Sequence, residues 1–262
     1  MTDAAAQDPS DTAAEPGTAL VVAAETLPLA QIAALAERQR RAGGLVMNAI
    51  NAAGRSIENR LEALPDRVKD RLETATAAAL ERSYRLAGRT ATLGPDLGER
   101  GHLALVTLTG ALGGMGGFGT ALAELPVTVT VIFRALQKIA AGYGYDPEDA
   151  ATRLECLQVF GAGGPLKRDD GVNASFLGAR VTITGATLNR VISSVAPRFA
   201  SVLGEKLAAQ AVPLLGSVAG AGINYAFVSY YQEMAHVRFG LKRLAETHGE
   251  ESVLAAFRAA VG

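Results

Sequence analysis

The most regular hydrophobic pattern in the chain lies near the C-terminus. Apolar residues recur there at alternating steps of four and three positions, which is the spacing of one face of an α-helix. The series is Ile223, Phe227, Tyr230, Met234, Val237, Leu241 and Leu244. Because it extends over more than two heptads, we predict a long helix that packs lengthwise against another helix. A last helix, Glu251 to Val261, presents Val253, Leu254 and Phe257.

The N-terminal half of the chain has a similar spacing. It predicts one helix from about residue 27 to Gly43-Gly44 and a second from Leu45 to about Leu64. Leu64-Pro65-Asp66 is then typical of a helix start, because Pro suits the first turn. The helix that follows is amphipathic, with its apolar positions on one side. These positions are Val68, Leu72, Ala75 and Ala79.

The segment GALGGMGGFGTALAELP, residues 110–126, has six glycines in its first ten positions. Residues 114–119 match the G-x-G-x-x-G pattern of a dinucleotide loop. However, no clear strand precedes the match and no βαβ rhythm follows it, so we expect no nucleotide and no cofactor. Residues 103–123 and 207–232 are uncharged and could cross a bilayer by length. Gly, Ala, Thr and Ser dilute both runs, so we expect buried or shallowly dipping helices instead.

We favour a third interpretation, in which these glycines let two helices approach closely. The G-x-x-x-G spacing allows such an approach in lipid and in a soluble core. In these two runs it is found in Gly110 to Gly114, Gly113 to Gly117 and Gly216 to Gly220. Two short runs, Val127 to Val131 and Arg180 to Thr184, are rich in β-branched residues and could instead form strands. For the first run we expect a helix that begins at Pro126 and ends at Gly142.

Composition restricts the class of protein. Hydrophobic residues make up 49% of the 262-residue chain, whereas aromatic residues make up 5% and Trp is absent. Close helix packing therefore has to replace bulky side chains. Residues 1–26 carry five acidic and no basic residues and predict a disordered tail. The rest has a charge of only +4, the difference between 25 basic and 21 acidic residues, so we expect no nucleic-acid partner.

Cellular location is predicted from the cysteine content and the N-terminus. The single Cys156 excludes an internal disulfide. The acidic N-terminus lacks the pattern of a signal peptide, so we place the protein in the cytoplasm.

Two longer segments together resemble a known family. The first is ALAELPVTVTVIFRALQKIAAGYGYDPED, and the second is PLLGSVAGAGINYAFVSYYQEMAHVRFGLKRL. Both are similar to signatures of the EcsC protein family, and the similarity covers roughly Leu61 to Leu244. The resemblance implies a mostly helical protein whose namesake is encoded with the parts of an ABC transporter. It implies no reaction.

Polar residues inside the apolar runs are the candidates for chemistry. Glu124 precedes Pro126, where a carboxylate could accept backbone N–H groups at a helix start, or it could be a buried acid with a raised pKa. Arg134 is too far from Glu124 along one helix, so Glu155 from another segment is the expected partner. Asn224 lies inside the second apolar run. In Tyr143-Gly144-Tyr145-Asp146-Pro147 we expect a helix exit, a turn and a new N-cap at Asp146.

Glu233 and His236 have the Glu-x-x-His spacing found in di-iron bundles. The second copy, Glu99 to His102, contains Gly101 and predicts a loop or helix edge, so we expect no metal and an exposed pair at Glu233 and His236. Cys156 is expected to be a small buried hydrophobe. The sequence offers no nucleophile motif, and we assign no catalytic residue.

Together these patterns predict an all-α protein with a disordered tail at 1–26 and one helical domain at 27–262. Residues 103–142 and 207–244 would form its Gly-rich centre. We expect a non-enzymatic protein that associates peripherally with the inner face of the membrane and binds lipid or a membrane protein such as a transporter component. One alternative is a hydrolase that uses Glu124, Glu155, Glu233 and His236 from facing helices. Another is a homo-oligomeric scaffold that self-associates through its glycine faces.

Overall fold

The computed structural model describes residues 27–53, 65–90, 117–161, 185–210 and 216–262. All regular elements in these ranges are α-helices, so the predicted all-α fold is confirmed for the described part of the chain. The helices are α1 Leu29–Ala53, α2 Asp66–Thr90, α3 Gly117–Gly142, α4 Ala150–Phe160, α5 Gly185–Gln210, α6 Gly216–His248 and α7 Glu250–Val261. Outside the described residues lie the predicted tail, Gly110, Gly113, Gly114, the Glu99 to His102 copy and Arg180 to Thr184.

Helix α6 is the centre of the fold and contacts α1, α3, α4, α5 and α7. The predicted seam along it is confirmed, because five of its residues are buried. These are Phe227, Tyr230, Met234, Val237 and Leu241. Most buried residues form one core, while α1, α7 and the C-terminal half of α6 enclose a smaller cluster around Leu35 and Phe257.

The two flanking amphipathic helices also agree with the sequence pattern. In α2, Leu72 and Ala79 are buried. Its charged residues Arg67, Lys69 and Arg71 are exposed. In α7, the predicted apolar residues Val253, Leu254 and Phe257 are all buried. Spacing therefore identified the inward faces of both helices.

Two predicted helix boundaries are wrong. Helix α1 continues through Gly43-Gly44 to Ala53. Glycine inside a helix costs only about 1 kcal/mol, which the packing of the preceding turns offsets. Helix α3 begins at Gly117 and not at Pro126, which lies inside the helix. Glu124 is therefore inside α3 and not at a helix start, whereas the predicted end at Gly142 is confirmed.

The β-branched run Val127 to Val131 is helical and forms no strand. Val129, Ile132 and Phe133 lie on the buried side of α3, so a helical period matches the core better than an alternating one. The hydroxyl of Thr130 donates to the carbonyl of Pro126 at 2.7 Å, which satisfies it inside the helix. Tertiary packing thus outweighs the local β propensity of this segment.

A close approach between helices does occur at a glycine, but not at one of those predicted. A Cβ atom added at Gly240 of α6 would lie 2.7 Å from Cδ2 of Leu35 on α1. Only glycine leaves room for that leucine at the observed helix separation. Gly117, Gly216 and Gly220 are helical residues at the starts of α3 and α6, and their predicted packing role stays a prediction.

Candidate functional site

The turn between α3 and α4 contributes polar side chains that contact α6. Gly144 has a φ of +88°, a backbone conformation that glycine adopts without strain. Asp146 accepts a hydrogen bond from the backbone N–H of Glu148 at 2.9 Å. Helix α4 starts later, with Asp149 at its N-cap, so the predicted N-cap at Asp146 is wrong. Asp146 shapes the turn instead.

Glu155 of α4 forms the centre of a buried polar cluster. Its carboxylate pairs with the guanidinium of Arg238, and the Nζ of Lys242 lies 3.5 Å from its other oxygen. Arg238 also donates to the side-chain oxygen of Gln158. Only 4% of Arg238 is exposed. Glu155 thus supplies the counter-charge that the buried Arg238 requires, and Lys242 adds a second, partly exposed cation beside the same carboxylate.

Tyr145 extends this cluster toward the surface. The Nζ of Lys242 lies 4.8 Å above the centre of the Tyr145 ring, and the Tyr145 hydroxyl donates to Glu246 at 2.9 Å. Burial and the carboxylate of Glu246 both raise the pKa of Tyr145, because each disfavours the phenolate. Tyr145 therefore stays protonated and fixes the turn onto α6.

The neighbouring pair of α6, Glu233 and His236, contacts two different elements. Glu233 accepts a hydrogen bond from Arg38 of α1 at 2.8 Å. The Nδ1 of His236 lies 3.3 Å from the Tyr143 hydroxyl in the α3–α4 turn. Both side chains are half-buried, so the predicted exposed Glu–His pair is wrong. The two groups connect α6 to its neighbours.

Among the described side chains, the other candidate residues do not come together to form a site. Arg134 is half-buried on α3. Glu124 and Asn224 belong to α3 and α6, but their side chains lie outside the description. Cys156 is fully buried as predicted, and burial raises the pKa of its thiol, which is a poor state for a nucleophile. In the described ranges, no three His, Cys, Asp or Glu residues come together as a metal ion would require.

Sequence reasoning missed Arg238 and Lys242 because their helix ends in a charged segment. Both lie outside the apolar series of α6, at positions where a helix pattern favours contact with solvent. Val237, Phe239, Gly240 and Leu241 are all buried, so this part of the helix is enclosed on nearly every side. An arginine inside such a stretch needs an internal acid, and Glu155 supplies it.

The direction of the helices brings four weakly charged segments to one end of the molecule. Leu35 packs on Gly240 and Arg38 on Glu233, so α1 runs antiparallel to α6. Only residues 211–215 separate α5 from α6, and the rings of Phe199 and Tyr231 are 5.4 Å apart, so α5 is antiparallel too.

Helix α3 runs in the same direction as α6. Phe133 and Tyr231 both pack on Phe160, at 6.4 and 5.4 Å between ring centres. Further along both helices, Tyr143 contacts His236. The C-terminal part of α1 and α5 and the N-terminal part of α3 and α6 therefore lie at the same end. We call residues 45–53, 117–127, 203–210 and 216–225 the apolar end.

Large hydrophobic side chains are exposed in this region. Val127 of α3 is 56% exposed and Tyr225 of α6 is 46% exposed. Both lie in the N-terminal halves of their parallel helices, ten and nine residues after the first residue of each. Leu29, at 63% exposure, is the other large exposed hydrophobic among the described side chains, and it lies at the opposite end of α1.

The Glu155 cluster and the apolar end both belong to the part of the chain that resembles known proteins. The model of the EcsC protein family matches residues 47–244. The chain belongs to the EcsC protein family. The match includes the apolar end from residue 47 onward and the whole Glu155 cluster, whereas most of α1 and all of α7 lie outside it. The EcsC resemblance seen in the two sequence segments is thus confirmed.

A curated relative is "Uncharacterized protein YdbA" of Bacillus subtilis (strain 168). It is 27% identical to this EcsC-family chain over 157 residues, which are 53% of this chain and 53% of the relative. The chain thus spans about half the length of that relative. No solved structure matches the chain. None of the helices in the described ranges combines the length and hydropathy of a membrane span.

Proposed function

We propose that this EcsC-family protein associates peripherally with a membrane and binds lipid directly through its apolar end. The observation that carries the proposal is the exposure of Val127 and Tyr225 in the N-terminal halves of two parallel helices. Exposed apolar side chains grouped in one region are typical of interaction surfaces. The charged residues of α1, α6 and α7 lie toward the other end, which would then face water.

A bilayer suits this end because several helix termini, and not one groove, contribute to it. The segments come from α1, α3, α5 and α6, so the surface is broad. Tyrosine is favoured at the boundary of headgroups and acyl chains, where its ring is buried and its hydroxyl stays hydrated. Tyr225 at the margin of the apolar end fits that position.

The proposed binding is shallow and reversible. Burying the exposed parts of Val127 and Tyr225 contributes roughly 1–2 kcal/mol each. Such a contribution resembles that of interfacial anchors, which lie in the plane of the headgroups. We place this contact at the inner face of the membrane, in line with the predicted cytoplasmic location.

Flotation with protein-free liposomes tests the proposal. We expect the wild-type protein to float, and Val127→Glu and Tyr225→Glu to reduce the floating fraction several-fold, because a carboxylate resists transfer out of water. The matched control is Leu29→Glu, which adds the same charge at an exposed position of the opposite end. Since all three positions are exposed, circular dichroism of the variants should be unchanged.

Three outcomes are decisive. Loss of flotation in the Val127 and Tyr225 variants with normal Leu29→Glu supports the proposal. A wild-type protein that stays in the soluble fraction contradicts it. If the protein fails to float but sediments with native membranes, the partner is a membrane protein such as a transporter component and direct lipid binding is wrong.

The hydrolase alternative receives no support from the described contacts. Glu155 pairs with Arg238 and Lys242, Glu233 with Arg38, and His236 with Tyr143. These are ion pairs and hydrogen bonds that hold helices together.

A further inference from the structure

Helix α2 places positive charge beside the exposed Val127. The hydroxyl groups of Ser83 on α2 and Thr130 on α3 form a hydrogen bond at 3.1 Å. Arg82 directly precedes Ser83, and Val127 lies one turn before Thr130 on the same side of α3. Arg82 is exposed. Its long side chain therefore lies within reach of a surface that Val127 contacts.

The C-terminal part of α2 is basic. Residues 82–90 of this helix contain three arginines and no acid. Within the described part of the chain, neither ion pair of α2 involves Arg82. Arg85 pairs with Glu81, but the Arg85 side chain is 72% exposed. Such a surface pair contributes little to stability, so Arg85 can exchange the carboxylate for another anion.

We infer that Arg82 and Arg85 bind the phosphate groups of anionic lipids where Val127 enters the bilayer. This inference rests on the proposed function and adds a lipid class to it. A guanidinium group donates two parallel hydrogen bonds to a phosphate, which makes arginine well suited to this contact. Beside an apolar anchor, each basic residue near an anionic surface adds about a fivefold gain in binding.

The total charge of the protein cannot produce the same preference. The chain has a formal net charge of −1, so an anionic bilayer does not attract the molecule as a whole. The position of each arginine matters instead, because salt screens exposed charges over about 8 Å at physiological ionic strength. Arg67 is also exposed on α2, but it lies about 22 Å before Arg82 along the helix.

The test measures binding of the full-length protein to vesicles of phosphatidylcholine alone and to vesicles that also contain phosphatidylglycerol. At low salt we expect the wild-type protein to bind the anionic vesicles roughly tenfold more tightly, and this gain should shrink at high salt. Arg82→Gln and Arg85→Gln should each remove most of the gain and leave binding to neutral vesicles unchanged. Arg67→Gln is the matched control, because it removes the same charge from the same helix and should keep the gain.

Each other result overturns a defined statement. Equal wild-type binding to neutral and anionic vesicles overturns the inference but leaves the proposed membrane association intact. An equal loss in Arg67→Gln shows that the gain follows total charge, and it overturns the assignment to Arg82 and Arg85. Absence of binding to both preparations overturns the proposed function as well. Val127→Glu should weaken binding to both preparations, and unchanged binding to anionic vesicles would contradict a joint contact.

Discussion

At the residue scale, the Glu155 cluster shows how one buried arginine determines its surroundings. Arg238 is enclosed between apolar residues of α6, and its charge is balanced by Glu155 of α4. Removal of one partner leaves the other charge buried, which costs more than the pair contributes when intact. The cluster therefore joins α4, the α3–α4 turn and α6 into one unit.

Arg238→Ala should lower the free energy of unfolding by about 3–5 kcal/mol, because Glu155 would keep only Lys242 as a counter-ion. Arg243→Ala is the control, since Arg243 belongs to the same helix but its side chain is 65% exposed. We expect a change of about 1 kcal/mol or less for the control. Urea denaturation measures both, and similar losses in the two variants would contradict a special role for the buried pair.

Because the thiol of Cys156 is buried, we expect the free energy of unfolding to fall in mild alkali. Burial raises the pKa of its thiol in the folded protein, so above the unfolded pKa of about 8.5 only the unfolded state releases the proton. The stabilisation is complete below that pH and falls as pH rises, by up to about 1.4 kcal/mol per pH unit. Cys156→Ala should flatten this slope between pH 8.5 and 10 in denaturation experiments. An unchanged slope would show that other groups cause it.

Sequence reasoning reached only part of this site. It selected Glu155, Glu233 and His236 as polar residues in apolar surroundings, and it predicted the burial of Cys156. It did not find the partners Arg238 and Arg38, because both lie far from their acids in the sequence. Only the antiparallel packing of helices brings these residues together, and no local spacing contains that information.

At the element scale, the contact of α1 with α6 depends on the absence of a side chain at Gly240. A methyl group there would overlap Leu35. We expect Gly240→Ala to lower the free energy of unfolding by about 1–3 kcal/mol despite its higher helix propensity. The matched control is Gly44→Ala in α1, where an added Cβ meets nothing within 4 Å. That change should stabilise by about 0.5–1 kcal/mol.

Thermal or urea unfolding of both alanine variants provides the measurement. In a Leu35→Ala background, the penalty of Gly240→Ala should nearly vanish, since the new methyl group would find room. If the two glycine variants change stability equally and in the same direction, the close approach at Gly240 has no energetic weight.

The helices themselves were more predictable than their ends. The spacing of apolar residues along α2, α6 and α7 identified their buried faces, because burial follows the helical period. Gly43-Gly44 and Pro126 suggested boundaries that the structure does not have. Both are weak local signals, and each helix continues past them. Gly240, where α1 and α6 approach closely, lies outside the G-x-x-x-G pattern, because such a contact depends on Leu35 of the partner helix.

At the scale of the whole molecule, the two ends differ in character. One end holds the ion pairs of α1, α4 and α6, and the other holds the apolar end with Val127 and Tyr225 exposed. Composition and uncharged runs suggested contact with a membrane, but they could not indicate which helix ends lie together. The direction of α1, α3 and α5 relative to α6 supplies that arrangement.

The most direct test of membrane docking uses the absence of Trp from the chain, because a single introduced Trp becomes a unique fluorescent reporter. Tyr225→Trp places it at the apolar end, and Leu29→Trp places it at the opposite end. On addition of small phosphatidylcholine vesicles, we predict a blue shift and quenching by brominated lipid for Trp at 225 and no change for Trp at 29. Equal responses at both positions, or no response at 225 while the protein floats, would contradict docking through the apolar end.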